Sequence, residues 1–189
     1  MSPANSKARQ DGIHSRLTPG TGTWLLETPI FKHWVNGQES VLFCTGICGA
    51  GKTSLASQII HHLQTANDSG RICVVTWIYC DYNDKASQSS LIILGCLLRQ
   101  TLECLRFVSA CVEDLYLEHG KGQSSMNKTE LKSAIQDVAL ISQARIFLVL
   151  DALDEYTDLY DARQTLMEDL LALTPVISFP VTLWPVLSI

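Results

Sequence analysis

Charged residues are scarce in this chain of 189 residues. They make up 17% of it, against about 25% in an average globular protein, whereas apolar residues make up 47%. This composition excludes long intrinsic disorder, and the length suits a single domain. Lysine and arginine number only 14 against 19 acidic residues, a net charge of −5. Such a balance provides no basic stripe for a phosphate backbone, so we expect no nucleic acid partner.

Export signals and a disulfide framework are also missing. The first twenty residues contain no apolar run of the kind that a secretory signal requires. The seven cysteines are an odd number and lie within apolar or helical runs, which predicts reduced thiols. We therefore expect a cytoplasmic protein. Residues 170–189 carry no charge over the length of a membrane span, but Pro175, Pro180 and Pro185 would break a helix there, so no membrane anchor is expected.

The chain divides into three predicted segments. Residues 1–20 are polar, contain scattered glycine and proline, and are predicted to be disordered. Residues 21–169 are predicted to form the domain, and residues 170–189 a divergent apolar tail. A short helix pair at the start of the domain is expected to bury Trp24, Leu25, Phe31 and Trp34.

Apolar runs alternate with segments of helical periodicity along the domain. Three runs predict buried strands: 40–45, 71–80 and 146–150. Helical spacing follows from residue 51 onward and recurs at 89–105, 108–119 and 127–141, the last opened by a capping box of Asn127 and Glu130. This order predicts an α/β fold with a mainly parallel sheet and helices on both faces. Ligands of such sheets bind beyond the carboxyl ends of the strands.

A glycine loop lies between the first strand and the first helix. Residues 46–53, GICGAGKT, match the phosphate-loop spacing G-x-x-x-x-G-K-[ST] in full. In that motif backbone amides surround the phosphate oxygens, the lysine reaches the β and γ phosphates, and the hydroxyl binds Mg²⁺. A chance match arises in about one in a hundred chains of this length. The residues predicted to bind the nucleotide are Gly46, Gly49, Ala50, Gly51, Lys52, Thr53 and Ser54.

Three carboxylates stand at the end of the third strand. Asp151 follows the apolar run directly, and Asp154 and Glu155 come three and four residues later. Beside a phosphate loop, Asp151 is suited to hold Mg²⁺ opposite Thr53. Glu155, with Asp154 as the other candidate, would orient or deprotonate an attacking water. The alternative is an ordinary solvated turn that opens a helix, where acidic residues are common.

Together these two motifs resemble the NACHT subgroup of STAND nucleotide-binding proteins. The second of them, residues 148–155 (LVLDALDE), is similar to the Walker B element of that group. Residues 20–26 and 79–82 look like the fungal NACHT group that includes nephrocystin-like N-terminal modules, and the resemblance extends to about residue 158. It implies a three-layer P-loop NTPase fold and a signalling module that binds ATP or ADP with Mg²⁺. Homo-oligomers or other signalling proteins would be its partners.

The C-terminal part departs from this pattern. No lysine or arginine follows Arg163, although such proteins continue into a sensor strand that ends in an arginine. Residues 176–179 could supply a short strand there, but without that arginine. We therefore expect a truncated member in which hydrolysis is weak or absent. Two alternatives stay open: a small P-loop phosphotransferase, which scattered arginines disfavour, and a degenerate interaction fragment that binds no nucleotide.

Overall fold

Within the described part of the chain, four parallel strands form one sheet. The computed structural model describes residues 3–47, 49–65, 73–81, 89–120, 123–156 and 160–183. The strands are β1 (Val41–Thr45), β2 (Cys73–Tyr79), β3 (Arg145–Asp151) and β4 (Ile177–Leu183). Their order across the sheet is β1-β4-β3-β2, with every neighbouring pair parallel. The mixed α/β class and the parallel sheet are thus confirmed.

Eight α-helices accompany the sheet in the described part of the chain. They are α1 (Pro3–His14), α2 (Thr23–Glu27), α3 (Pro29–Val35), α4 (Lys52–Thr65), α5 (Ser90–Leu105), α6 (Ala110–Glu118), α7 (Lys128–Ser142) and α8 (Tyr160–Leu171). The capping box that opens α7 is present, because Asn127 Oδ1 accepts from the Glu130 amide at 3.0 Å and a Glu130 carboxylate oxygen accepts from the Asn127 amide at 2.7 Å.

Apolar side chains on the two faces of the sheet belong to two separate cores. Successive residues of a strand point to opposite faces, so Ile146 and Leu148 join helices α5, α7 and α8, whereas Phe147 and Val149 join α3 and α4. All four of these side chains are buried. The near-continuous apolar sequence of β3 is what a strand covered by helices on both faces requires.

The predicted helix pair near the N-terminus forms, with one correction. Leu25, Phe31 and Trp34 are buried in the core beneath α4, as expected, but Trp24 is 62% exposed. In a helix of five residues, neighbouring side chains point about 100° apart. Burial of Leu25 therefore turns Trp24 towards solvent.

The prediction that residues 1–20 are disordered is wrong for most of that segment. Residues 3–14 form α1, which packs against α4 and β2. Its sequence shows no apolar stripe, and its buried residues Ser6 and Gln10 are polar. The hydrogen bonds that hold it join residues distant in the chain.

The boundary predicted at residue 169 is also wrong. Helix α8 continues to Leu171, and residues 177–183 form β4 between β1 and β3 rather than a divergent tail. The strand expected at 176–179 is therefore present and longer. No described helix has the length and apolar character needed to cross a membrane. None of the six cysteines within the described residues forms a disulfide, and Cys48 lies outside those residues.

Candidate functional site

The glycine loop connects the end of β1 to the start of α4. Gly49 and Gly51 have φ angles of +78° and +81°, a region that glycine enters without steric cost. A Cβ atom at either position would meet nothing within 4 Å. Glycine is thus required at both positions by the backbone angles rather than by a lack of space.

Positive groups point into this loop. The Lys52 ammonium donates to the carbonyl oxygens of Gly46, at 2.9 Å, and Ile47, at 3.2 Å, so it lies against the loop backbone. The first amide of α4 bonded in helical fashion is that of Leu55, which donates to Gly51 O at 2.9 Å. Amides of a first helical turn have no acceptor inside the helix. The positive end of the 14-residue helix therefore faces the loop.

The acidic cluster lies at the end of β3. Asp151 is the last residue of that strand and only 2% exposed. Ala152 follows with a φ of +55°, in the left-handed region, and turns the chain into a short 3₁₀ helix over Leu153–Glu155. The Glu155 amide donates to Ala152 O at 2.8 Å. This turn brings Asp154, half-buried, and Glu155, exposed, back over the strand end.

The charge of Asp151 influences the neighbouring end of β2. Tyr79 stands opposite Asp151 in the parallel register, and the Cys80 amide donates to Asp151 O at 3.0 Å. Burial, and then the charges of Asp151 and Glu155, raise the pKa of the Cys80 thiol to about 12. Burial and then Asp151 also raise the pKa of Tyr79. The negative charge of Asp151 therefore acts on both Tyr79 and Cys80 at the adjoining end of β2.

The glycine loop and the acidic cluster line one cavity of about 280 Å³. Its walls are formed by Gly49, Gly51, Lys52, Thr53, Asp151, Ala152, Asp154 and Glu155. Seven of the ten predicted site residues thus line one cavity. The other three, Gly46, Ala50 and Ser54, belong to the same loop and helix start but do not line it. We call this cavity the loop cavity.

Sequence reasoning missed two neighbours of the loop cavity. Ala152 lines it and Tyr79 flanks the strand end beside it. Ala152 was detectable from its place directly after Asp151. The position of Tyr79 depends on the pairing of β2 with β3, which the sequence of either strand alone does not determine.

A larger cavity, of about 750 Å³, lies among α5, α6 and α7. Its walls are mostly apolar, with Leu98, Val112 and Leu131 among them, and Arg99 and Glu113 are its charged residues. It brings together no phosphate-binding loop or carboxylate cluster. The loop cavity is therefore the candidate functional site.

A family sequence match covers most of the chain, including every residue that lines the loop cavity. The sequence model of the family described as Nephrocystin 3, N-terminal, matches residues 20–182. The chain belongs to this family. Nephrocystin 3 N-terminal domains are related to NACHT and STAND nucleoside-triphosphatase regions. The match begins after α1 and extends through nearly all of β4, well beyond the limit near residue 158 that the resemblance suggested. No curated protein sequence matches the chain significantly.

Proposed function

We propose that this nephrocystin 3 N-terminal domain is a signalling module of NACHT type that binds ATP or ADP together with Mg²⁺. The proposal includes the three-layer P-loop NTPase fold. The observation that carries it is the loop cavity, in which a loop with the full phosphate-binding spacing faces the carboxylates that end β3. A cytoplasmic location and partners such as a second copy or other signalling proteins belong to the same proposal.

The loop would bind the phosphates through its backbone and Lys52. The left-handed angles at Gly49 and Gly51 open the loop, and the first amides of α4 add the positive end of a helix. Lys52 would exchange its carbonyl contacts within the loop for phosphate oxygens, which are stronger acceptors because they are charged. A cavity of 280 Å³ lies below the usual range of about 300–1,000 Å³ for ligand pockets. It therefore suits the phosphates, with the base and ribose outside.

The donor atoms of the loop cavity fit Mg²⁺. This ion prefers oxygen and is commonly held by one or two protein groups together with phosphates and water. The Thr53 hydroxyl and the Asp151 carboxylate are oxygen donors in one cavity. The described residues include no cluster of three or more histidine, cysteine or acidic side chains placed to hold a metal ion by themselves, and a nucleotide-dependent Mg²⁺ site needs none. Bound there, the ion would neutralise phosphate charge.

Hydrolysis would be weak or absent in this module. Glu155, or Asp154, would orient or deprotonate a water, since both line the loop cavity. Stabilising the transition state also requires positive charge at the γ phosphate. Lys52 is the cation that lines the cavity among the described residues, and residues 164–189 contain neither lysine nor arginine. The chain would therefore act as a binding switch more than as a catalyst.

Equilibrium binding of a fluorescent ATP analogue, with and without Mg²⁺, tests this function. Lys52→Ala is expected to weaken binding about 10- to 100-fold, because a hydrogen bond to a charged group contributes about 1.5–3 kcal/mol. Lys32→Ala is the matched control, since Lys32 is exposed on α3 away from the loop cavity. Circular dichroism of each variant verifies that it folds.

Other outcomes select the alternatives. Transfer of the γ phosphate to a nucleoside or nucleotide acceptor would identify a phosphotransferase. The absence of saturable binding in a monodisperse sample would refute the nucleotide function and leave an interaction fragment.

A further inference from the structure

Helix α1 lies outside the family-matched region but contacts its phosphate-loop helix. The match begins at residue 20, whereas α1 ends at His14 and packs against α4 and β2. Two polar side chains of α1, Ser6 and Gln10, are 5% and 4% exposed. A helix that buries polar groups on a neighbouring domain surface makes specific contacts there, because each buried polar group needs a partner.

Gln10 is the centre of this contact. Its side-chain amide donates to Ser57 O on α4 at 3.2 Å, and its carbonyl oxygen accepts from the Tyr79 hydroxyl at the end of β2. One side chain therefore links α1, α4 and β2. Ser57 lies about one helical turn beyond Thr53, and Tyr79 stands beside Asp151 in the sheet. The contact thus joins α4, which carries Lys52 and Thr53 of the loop cavity, to β2, the strand paired with β3 at Asp151.

Further contacts surround Gln10. The Trp77 indole donates to Ser6 O at 3.1 Å, and the Arg9 guanidinium lies 5.2 Å from the centre of the Tyr79 ring. At the far end of α1, the His14 and His61 rings stack with centroids 4.1 Å apart. Together these three contacts and those of Gln10 define one orientation of α1 on α4 and β2.

The contacts of α1 with α4 and β2 are of kinds that break and re-form easily. Among residues 6–14 of α1, whose side chains the structure describes, Ile13 is the one that packs against the apolar core beneath α4, so this part of the helix adds little apolar burial. Hydrogen bonds between neutral groups contribute modestly because water competes for them. A helix of 12 residues is also marginal in isolation. Elements held in this way open at low free-energy cost, before the domain as a whole unfolds.

We propose that α1 is a latch whose docking is coupled to nucleotide binding in the loop cavity. Docked α1 holds α4 and the end of β2 in the relative position that the phosphate loop and Asp151 require. Coupling of this kind is reciprocal, so bound nucleotide strengthens the docking of α1 by the same factor. The proposal rests on the proposed function, because the ligand that it couples to α1 is the nucleotide.

The full chain with Gln10→Ala provides the first test. This change removes both hydrogen bonds of Gln10 and lies outside the loop cavity. Affinity for the fluorescent ATP analogue with Mg²⁺ is expected to fall about fivefold or more, the lower limit of typical coupling between sites. Tyr79→Phe removes the hydroxyl partner and is expected to act in the same direction. Lys7→Ala, an exposed position on α1, is the matched control and is expected to bind like the wild type.

Hydrogen exchange provides the second test and needs no variant that weakens α1. In the wild type, amides of residues 6–14 are expected to exchange more slowly with ATP and Mg²⁺ than without, and Lys52→Ala is expected to abolish that difference. Equal ATP affinity of Gln10→Ala and the wild type, or unchanged exchange of α1 on saturation with ATP, would overturn the latch and leave the nucleotide function intact. A wild-type protein that binds no ATP would overturn both, so the two failures are distinguishable.

Discussion

Asp169 joins three helices through one buried carboxylate. It lies on α8, and its oxygens accept from the ammonium groups of Lys128 and Lys132 on α7, each at 2.9 Å, and from the Ser90 hydroxyl on α5. Its side chain is 11% exposed, whereas those of the two lysines are 39% and 28% exposed. Burial alone would raise the pKa of Asp169, but the hydrogen bonds from Ser90, Lys132 and Lys128 outweigh it. The pKa falls from 3.8 to about 2.

This lowered pKa predicts a specific loss of stability in acid. Because the folded pKa is below the unfolded one, the carboxylate stabilises the native state fully above pH 3.8, and its contribution disappears as the pH falls from there towards 2. One pKa unit corresponds to about 1.4 kcal/mol, so a shift from 3.8 to about 2 contributes about 2.5 kcal/mol. Asp169→Asn is expected to lower the free energy of unfolding by about that amount at pH 7.

Urea unfolding followed by circular dichroism at pH 7, 5, 4 and 3 measures this effect. The difference between the wild type and Asp169→Asn is expected to be nearly constant from pH 7 to 5 and to shrink by pH 3. Glu168→Gln, an exposed neighbour on the same helix, is the control for loss of a surface charge. If the difference between Asp169→Asn and the wild type does not change with pH, the assignment of the stabilisation to the ionised carboxylate is refuted.

Three further predictions concern the loop cavity and its surroundings. Ala152→Gly is expected to raise the free energy of unfolding by about 0.5–1 kcal/mol, because glycine avoids the cost of φ +55° but has a more flexible unfolded state; a lower melting temperature would contradict this. The Cys80 thiol, 2% exposed and with a pKa of about 12, is expected to resist alkylation at pH 8 in native protein, whereas the exposed Cys104 reacts. Mass spectrometry of the alkylated peptides measures the order, and alkylation of Cys80 before Cys104 would contradict this prediction. ATP turnover is expected to stay far below the enzyme median of about 10 per second, and phosphate release near that rate would disprove the argument from missing positive charge.

The sequence predicted those elements whose local residue pattern matches the surroundings that the fold gives them. The apolar run of β3 is buried on both faces, as its composition requires. Asn127 and Glu130 form their capping box because both hydrogen bonds lie within one helical turn. Residues 49 and 51–53 of the glycine loop and the carboxylates of Asp151, Asp154 and Glu155 line one cavity because parallel strands end at the same edge of the sheet.

Helix α1 could not be predicted for the opposite reason. Its sequence, PANSKARQDGIH, contains no apolar stripe and one glycine, so local propensity and periodicity both indicate a disordered segment. What orders it are contacts with residues about 50 to 70 positions away, such as Ser57 and Tyr79. The local sequence pattern of residues 3–14 does not contain that information.

Among the elements that the sequence did not predict in full, β4 matters most for the loop cavity, because it lies between the two strands that carry it. Proline lacks an amide hydrogen and is usually confined to edge strands, yet Pro180 lies in an inner strand of the sheet, opposite Leu42 of β1. Neighbouring strands lie about 4.8 Å apart, so β4 separates β1 from β3 by about 10 Å. The segment predicted to be a tail therefore sets the width of the space in which a phosphate and a metal ion would lie.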